Sequence, residues 1–198
     1  LGLQHFPKSG ALYMEMGIVE FGRNRDAAAL AYWETGIRLQ PDFAPNYYFA
    51  APVLLKMGDY AWAANYAEVM INLSQSGERV TEMSLLLMQA HVAARLFDYQ
   101  KAFLWLFFSP SDGGTSATME PSRYHQLLNE AYSSEFTDTT SRISIGKLAE
   151  IRRFVCHWMP AKAPKNAALS LYQWQQRVVD AGFWNAYNYW LLADARPE

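Results

Sequence analysis

The chain has 198 residues, of which 51% are hydrophobic and 18% are charged. A composition this apolar excludes long-range disorder and provides for one sizeable core or a short array of repeats. The 17 basic and 19 acidic residues give a formal charge of -2, which argues against a nucleic-acid partner. The single cysteine, Cys156, excludes an internal disulfide framework. No apolar run approaches the roughly 18 residues of a membrane helix, and no basic-then-apolar leader opens the sequence.

Residues of one type recur through the first half of the chain at a constant distance, the repeat interval. The pairs are Pro7 and Pro41, Tyr13 and Tyr47, Ala29 and Ala63, and the small residues Gly17 and Ala51. A shared interval of about 34 residues is typical of a helix–turn–helix repeat. We expect the small residues to allow the helices of a unit to approach closely, and Gly58 and Asp59 to form the turn between them.

This pattern resembles the tetratricopeptide repeat (TPR) family, whose units carry aromatic, small and closing proline residues at set positions. The first unit reads Tyr13, Met16, Gly17, Ala29, Trp33 and Pro41, and the second reads Tyr47, Ala50, Ala51, Leu54, Ala63 and Ala67. The sequence is also similar to uncharacterised TPR proteins of Bacteroidetes over Phe6–Gly10, Pro41–Ala50 and Asp180–Leu191. The resemblance implies an all-α fold, a TPR-type α-α superhelix with a helical C-terminal cap. It also implies a periplasmic or exported protein.

The predicted organisation has three parts. Residues 1–108 form the TPR array: the tail of a preceding repeat at 1–9, repeats at about 10–43 and 44–77, and a degenerate repeat at 78–108, so the chain would be a piece of a longer array. The turn of the degenerate repeat matches best with a short insertion near 74–78 and a longer first helix, roughly 78–96. Residues 109–122 are loop by composition. Residues 123–198 form the capping segment, with helices over 123–136, 143–158, 167–181 and 183–193.

The resemblance assigns peptide binding to a concave groove lined by the first helix of each unit. The lining residues in this register are Met14, Ile18, Phe21, Tyr48, Leu55, Lys56, Leu87, His91 and Arg95, with Pro52 also on that face. Met14 and Ile18 stand where the family's carboxylate clamp has polar residues, so no such clamp is predicted. Lys56 and Arg95 remain as charge anchors. An apolar groove receives either a partner peptide or the chain's own helices, and the sequence leaves both open.

No combination of residues indicates catalysis. Cys156 and His157 are neighbours on a predicted helix and point about 100° apart, so they cannot form a dyad. The other histidines have no partner at metal-ligand spacing, and no glycine-rich phosphate or dinucleotide loop is present. We therefore predict a non-enzyme without catalytic, cofactor or metal sites, whose partner is a protein or peptide.

Aromatic residues crowd the C-terminal segment. They are Tyr172, Trp174, Phe183, Trp184, Tyr187, Tyr189 and Trp190. Their helical spacing favours packing in a cap that covers the last repeat over a cleft in which a ligand stacks.

Two functional hypotheses follow. The first is a non-enzymatic scaffold that binds a peptide or protein through the apolar concave groove. The alternative is an assembly module, part of a longer repeat protein, whose groove is filled by its own C-terminal helices and which associates with itself through its exposed N-terminal repeat face.

Overall fold

The computed structural model describes residues 2–96, 144–162 and 169–195, and every regular element in these ranges is helical. The helices are α1 (Gly2–His5), α2 (Gly10–Phe21), α3 (Asp26–Leu39), α4 (Ala44–Met57), α5 (Tyr60–Ser74), α6 (Glu78–Leu96), α7 (Ile145–Lys162), α8 (Leu169–Asp180) and α9 (Trp184–Leu191), followed by a 3-10 turn at Ala193–Ala195. The predicted all-α class is confirmed within these ranges. The predicted loop at 109–122, the helix at 123–136 and the second half of the degenerate repeat lie outside them.

The repeat interval reappears in the helix starts. Helices α2, α4 and α6 begin at residues 10, 44 and 78, and α3 and α5 begin at 26 and 60. The Tyr13 hydroxyl donates to the carbonyl of Pro7 (3.3 Å), and the equivalent Tyr47 hydroxyl donates to that of Pro41 (2.8 Å). The predicted insertion near 74–78 is wrong, because α6 follows α4 at the same interval at which α4 follows α2. The additional length lies within α6, which covers the predicted 78–96.

Small residues let these helices pack closely, as the sequence predicted. Each helix from α2 to α6 contacts the next, and α4 also contacts both α2 and α6. Ala29, Ala51 and Ala63 are fully buried. A Cβ atom added at Gly17 would lie 2.1 Å from Nε1 of Trp33, so only glycine fits between α2 and this indole. Helix α4 therefore lies between α2 and α6, with α3 and α5 packed beside this row.

The turn between α4 and α5 is built as expected. Gly58 ends α4 in the left-handed conformation (φ 84°), which glycine adopts without a Cβ clash. The Asp59 carboxylate accepts a hydrogen bond from the backbone N–H of Trp62 and caps α5. Helix α4 is continuous through Pro52, whose ring is exposed and which cannot donate to the Tyr48 carbonyl one turn earlier.

The C-terminal helices pack against the far end of the repeat helices. Helix α7 contacts α8 and α9, and the 3-10 turn contacts α6. Helix α7 extends to Lys162 and includes Pro160, whereas the sequence predicted that it ends at residue 158. The predicted helices at 167–181 and 183–193 correspond to α8 and α9.

Candidate functional site

A cleft of about 490 Å³ opens along α2, α4 and α6, the helices to which the sequence assigned the groove. Its lining residues are Ile18 and Phe21 on α2, Trp33 on α3, Tyr48, Phe49, Pro52 and Val53 on α4, and Glu82, Met83, Leu85, Leu86 and Gln89 on α6. Spacings of three and four residues place each set on one face of its helix. The volume lies in the range typical of ligand sites, about 300–1,000 Å³.

The floor of the cleft is aromatic. The Trp33 ring stacks on that of Phe49 at 5.7 Å and 21°, and it is tilted 47° to the Phe21 ring at 6.1 Å. The Trp33 indole is almost fully buried and donates from Nε1 to the carbonyl of Met14 (3.1 Å). Phe21 and Leu85, on the outer helices, are 46% and 44% exposed. Large apolar side chains exposed around a concavity are typical of a surface that meets a partner.

Tyr48 supplies the polar part of the cleft. Its hydroxyl donates to the Glu82 carboxylate (2.5 Å), and the Arg79 guanidinium lies 4.9 Å from its ring centroid. The hydrogen bond to Glu82 raises the pKa of Tyr48, because it favours the protonated phenol. Since Pro52 cannot donate to the Tyr48 carbonyl, that oxygen lacks its usual helical donor on the cleft side of α4.

The structure places three of the nine predicted groove residues in this cleft: Ile18, Phe21 and Tyr48. Pro52, named with them, also lines it. Met14 and Leu55 are half-buried, and Leu55 packs against the core. The exposed Lys56 makes an ion pair with Asp26 of α3 (2.5 Å). Met14, Leu55 and Lys56 do not line the cleft.

The residues predicted from the third unit are placed elsewhere. Leu87 and His91 are buried inside the protein, and the side chain of Arg95 lies outside the described residues. The prediction used the longer interval that the presumed insertion required. Because α6 begins in the register of α2 and α4, the equivalents of Tyr48 and Pro52 are Glu82 and Leu86, and both line the cleft. Extending the constant interval would have found them.

A second polar cluster joins α5 to the C-terminal helices. Glu68 and Arg152 are both deeply buried, with Oε2 of Glu68 2.6 Å from Nη2 of Arg152. Gln175 donates from Nε2 to both Glu68 oxygens (2.9 and 3.0 Å), and the Tyr187 hydroxyl donates to one of them (2.8 Å). Burial lowers the pKa of the nearby His91 to about 3, aided by the charge on Arg152. No periodic signal in the sequence connects the members of this cluster, so it was not predicted.

Burial raises the pKa of the Cys156 thiol to about 11, so this side chain stays protonated and unreactive at neutral pH. In the part of the chain that the structure describes, no three His, Cys, Asp or Glu side chains group so that they could hold a metal. No helix in that part is both long and apolar enough to cross a membrane.

The C-terminal aromatic residues fall into two groups. Tyr172, Trp184 and Tyr187 are buried, and the Trp184 indole donates to the carbonyl of Ala149 on α7 (2.8 Å). The exposed group is Trp174, Phe183, Tyr189 and Trp190. Only the first group is packed in the interior, whereas the helical spacing predicted packing for the whole aromatic set.

Comparison of the chain with protein-family models, with curated proteins and with solved structures found no match. The function of this chain must therefore follow from the geometry of its own sites.

Proposed function

We propose that this protein is a non-enzymatic scaffold of the TPR type that binds an apolar peptide segment in the cleft along α2, α4 and α6. The observation that carries the proposal is the lining of this cleft. Equivalent positions of three successive units converge on it, and Ile18, Pro52 and Leu86 form one such row at the repeat interval. A row of this kind suits an elongated ligand that lies across several helices.

The TPR assignment rests on local repetition. Helix starts recur at the repeat interval, and Tyr13 and Tyr47 repeat the same hydrogen bond to a proline carbonyl. Both features arise when the same short sequence builds the same helix–turn–helix unit twice. A stack of such units is the architecture that we propose for residues 2–96.

The chemistry of the cleft defines the partner. Its aromatic floor and the exposed side chains of Phe21 and Leu85 favour leucine-like or aromatic anchors. The Tyr48 carbonyl and the Glu82 carboxylate favour a hydrogen-bond donor or a cation beside those anchors. The partner is thus an apolar peptide that carries at least one donor group.

The alternative, an assembly module with a self-filled groove, gains no support from the C-terminal helices described. None of the described residues of α7, α8 or α9 lines the cleft. Instead, Gln175 on α8 and Tyr187 on α9 contact Glu68 on α5.

Selection of peptides from a random display library against the native chain, followed by titration of the selected peptide, tests this proposal. Leu85→Asp places a charge among the cleft side chains and should weaken binding about tenfold or more. Val19→Asp is the matched control, because Val19 is 46% exposed on α2 and does not line the cleft. Thermal unfolding checks that both variants fold. Equal affinity of the two variants, or failure to select any peptide, would contradict the proposal.

A further inference from the structure

A larger cavity, of about 750 Å³, lies between α5 and the C-terminal helices α8 and α9. Its lining includes Asn72, Leu73 and Gln75 at the end of α5, Ser170 and Trp174 on α8, and Trp190 on α9. Leu73, Trp174 and Trp190 are 40%, 42% and 42% exposed. Three large apolar side chains that meet at one concavity mark it as a binding surface.

The two tryptophans differ from the structural tryptophans of this chain. Trp33 and Trp184 are buried, and each donates its indole N–H to a backbone carbonyl. Within the described ranges, the indole N–H groups of Trp174 and Trp190 have no protein acceptor. Each of these two exposed indoles therefore presents an apolar face and an unused donor.

Neighbouring side chains hold both indoles in place. The Arg177 guanidinium lies 5.6 Å from the ring centroid of Trp174, and the buried Tyr187 ring lies 5.9 Å from that of Trp190. Such contacts restrict the rotamers of an exposed indole before a ligand binds. Less side-chain entropy is therefore lost on binding. The surface is thus preorganised for a ligand with flat apolar groups.

The charge and the hydrogen-bonding groups of the lining residues limit the chemical class of that ligand. Among the described residues that line the cavity, none is Asp, Glu, Lys, Arg or His, and the polar members are the neutral side chains of Asn72, Gln75, Ser170 and Tyr187. The two indole groups are donors only, so they select a ligand that is rich in acceptors. The ligand that fits these lining groups has apolar rings and free carbonyl or ether-like oxygens.

We propose that this cavity binds a proline-rich segment in the polyproline II conformation. Pyrrolidine rings supply flat apolar faces for the indoles of Trp174 and Trp190. The backbone of polyproline II makes no internal hydrogen bonds, so its carbonyls are free to accept from the two indole donors. Proline has no N–H that would need an acceptor, and its rigidity lowers the entropy lost on binding. A saccharide is the competing ligand, and the titration with cellohexaose described below distinguishes it from a proline-rich segment.

This site is separate from the cleft along α2, α4 and α6. Its lining residues belong to α5, α8 and α9 and the residues beside them, and none of them lines the other cleft. The two proposals can therefore fail independently, and a scaffold with both sites would bring two different peptides together.

Nuclear magnetic resonance of the indole N–H signals of the full 198-residue chain tests the proposal directly. The probe is a decaproline peptide, and Trp174→Phe and Trp190→Phe identify the two signals. We expect saturable shifts of these signals, with those of Trp33 and Trp184 unchanged. A glycine–serine peptide of equal length should cause no shift.

Affinity measurements on variants complete the test. Trp174→Ala and Trp190→Ala should each weaken polyproline binding about tenfold or more. Tyr189→Ala is the control, because Tyr189 is half-exposed on α9 and does not line the cavity. Absence of a saturable shift, equal loss in the control, or saturable shifts with cellohexaose and not with polyproline would overturn the proposal.

Discussion

The close contact between Gly17 and Trp33 supports a quantitative prediction. In Gly17→Ala, the new methyl group would lie 2.1 Å from Nε1 of Trp33, whereas ordinary contact begins at 3.4 Å. The indole must therefore move by about 1.3 Å, the difference between these distances. It is 1% exposed, stacks on Phe49 and donates to the Met14 carbonyl, so a displacement disturbs all of these contacts.

The net effect follows from three contributions. Overpacking costs about 1–3 kcal/mol, and loss of a hydrogen bond costs about 1 kcal/mol. Alanine in place of glycine within a helix contributes up to about 1 kcal/mol in the opposite direction. We expect Gly17→Ala to lower the free energy of unfolding by about 2 kcal/mol, measured by urea denaturation.

A matched substitution separates this contact from helix propensity. Gly146 lies in the first turn of α7, and a Cβ atom there would have its nearest neighbour, Oγ of Ser144, at 3.9 Å. Gly146→Ala should therefore leave stability unchanged or raise it by a few tenths of a kcal/mol. If Gly17→Ala proves as stable as the native chain, the argument from close approach is refuted.

Two further predictions concern the buried cluster on α5. Glu68→Ala leaves Arg152 buried without its anionic partner and should lower the free energy of unfolding, measured by urea denaturation, by about 3–5 kcal/mol. A decrease of less than about 1 kcal/mol would contradict the buried ion pair. His91 has a pKa of about 3 when folded and an ordinary value of 6.5. As pH falls, the unfolded chain therefore binds the proton before the folded chain does. His91 contributes little to the pH dependence of stability well above pH 6.5. Below pH 6.5 it lowers the free energy of unfolding by up to about 1.4 kcal/mol per pH unit. His91→Gln should reduce the slope between pH 6.5 and 5 by about 1 kcal/mol per pH unit, because the unfolded His91 is only half protonated at pH 6.5. Equal slopes for the two proteins would contradict the assignment.

The local units of the fold were predictable because their signals lie close together in the sequence. The repeat interval predicted the helix–turn–helix units, and Gly58 with Asp59 predicted the turn between α4 and α5. Gly17 and Ala51 predicted where helices approach closely. Each of these features depends on contacts within one unit or between adjacent units.

Three of the six lining residues predicted from the first two units, and none of those predicted from the third, are among the described residues that line the cleft. Ile18, Phe21 and Tyr48 line the cleft because the pattern of the first two units is regular. The match at the turn of the degenerate repeat favoured a different interval and moved the predicted face of α6 to Leu87 and His91. The start of α6 corrects this, since a helix that begins in register presents the residues equivalent to those of α4.

The sequence by itself determined the helical class and the repeat interval, because these follow from local spacing. The tertiary structure alone decided which aromatic residues of the C-terminal segment are buried and which remain exposed, as Trp184 and Trp174 are. It also decided that Glu68 meets Gln175, 107 residues away. Such pairs depend on how α7, α8 and α9 pack against α5, and a contact between distant segments leaves no periodic trace in a single sequence.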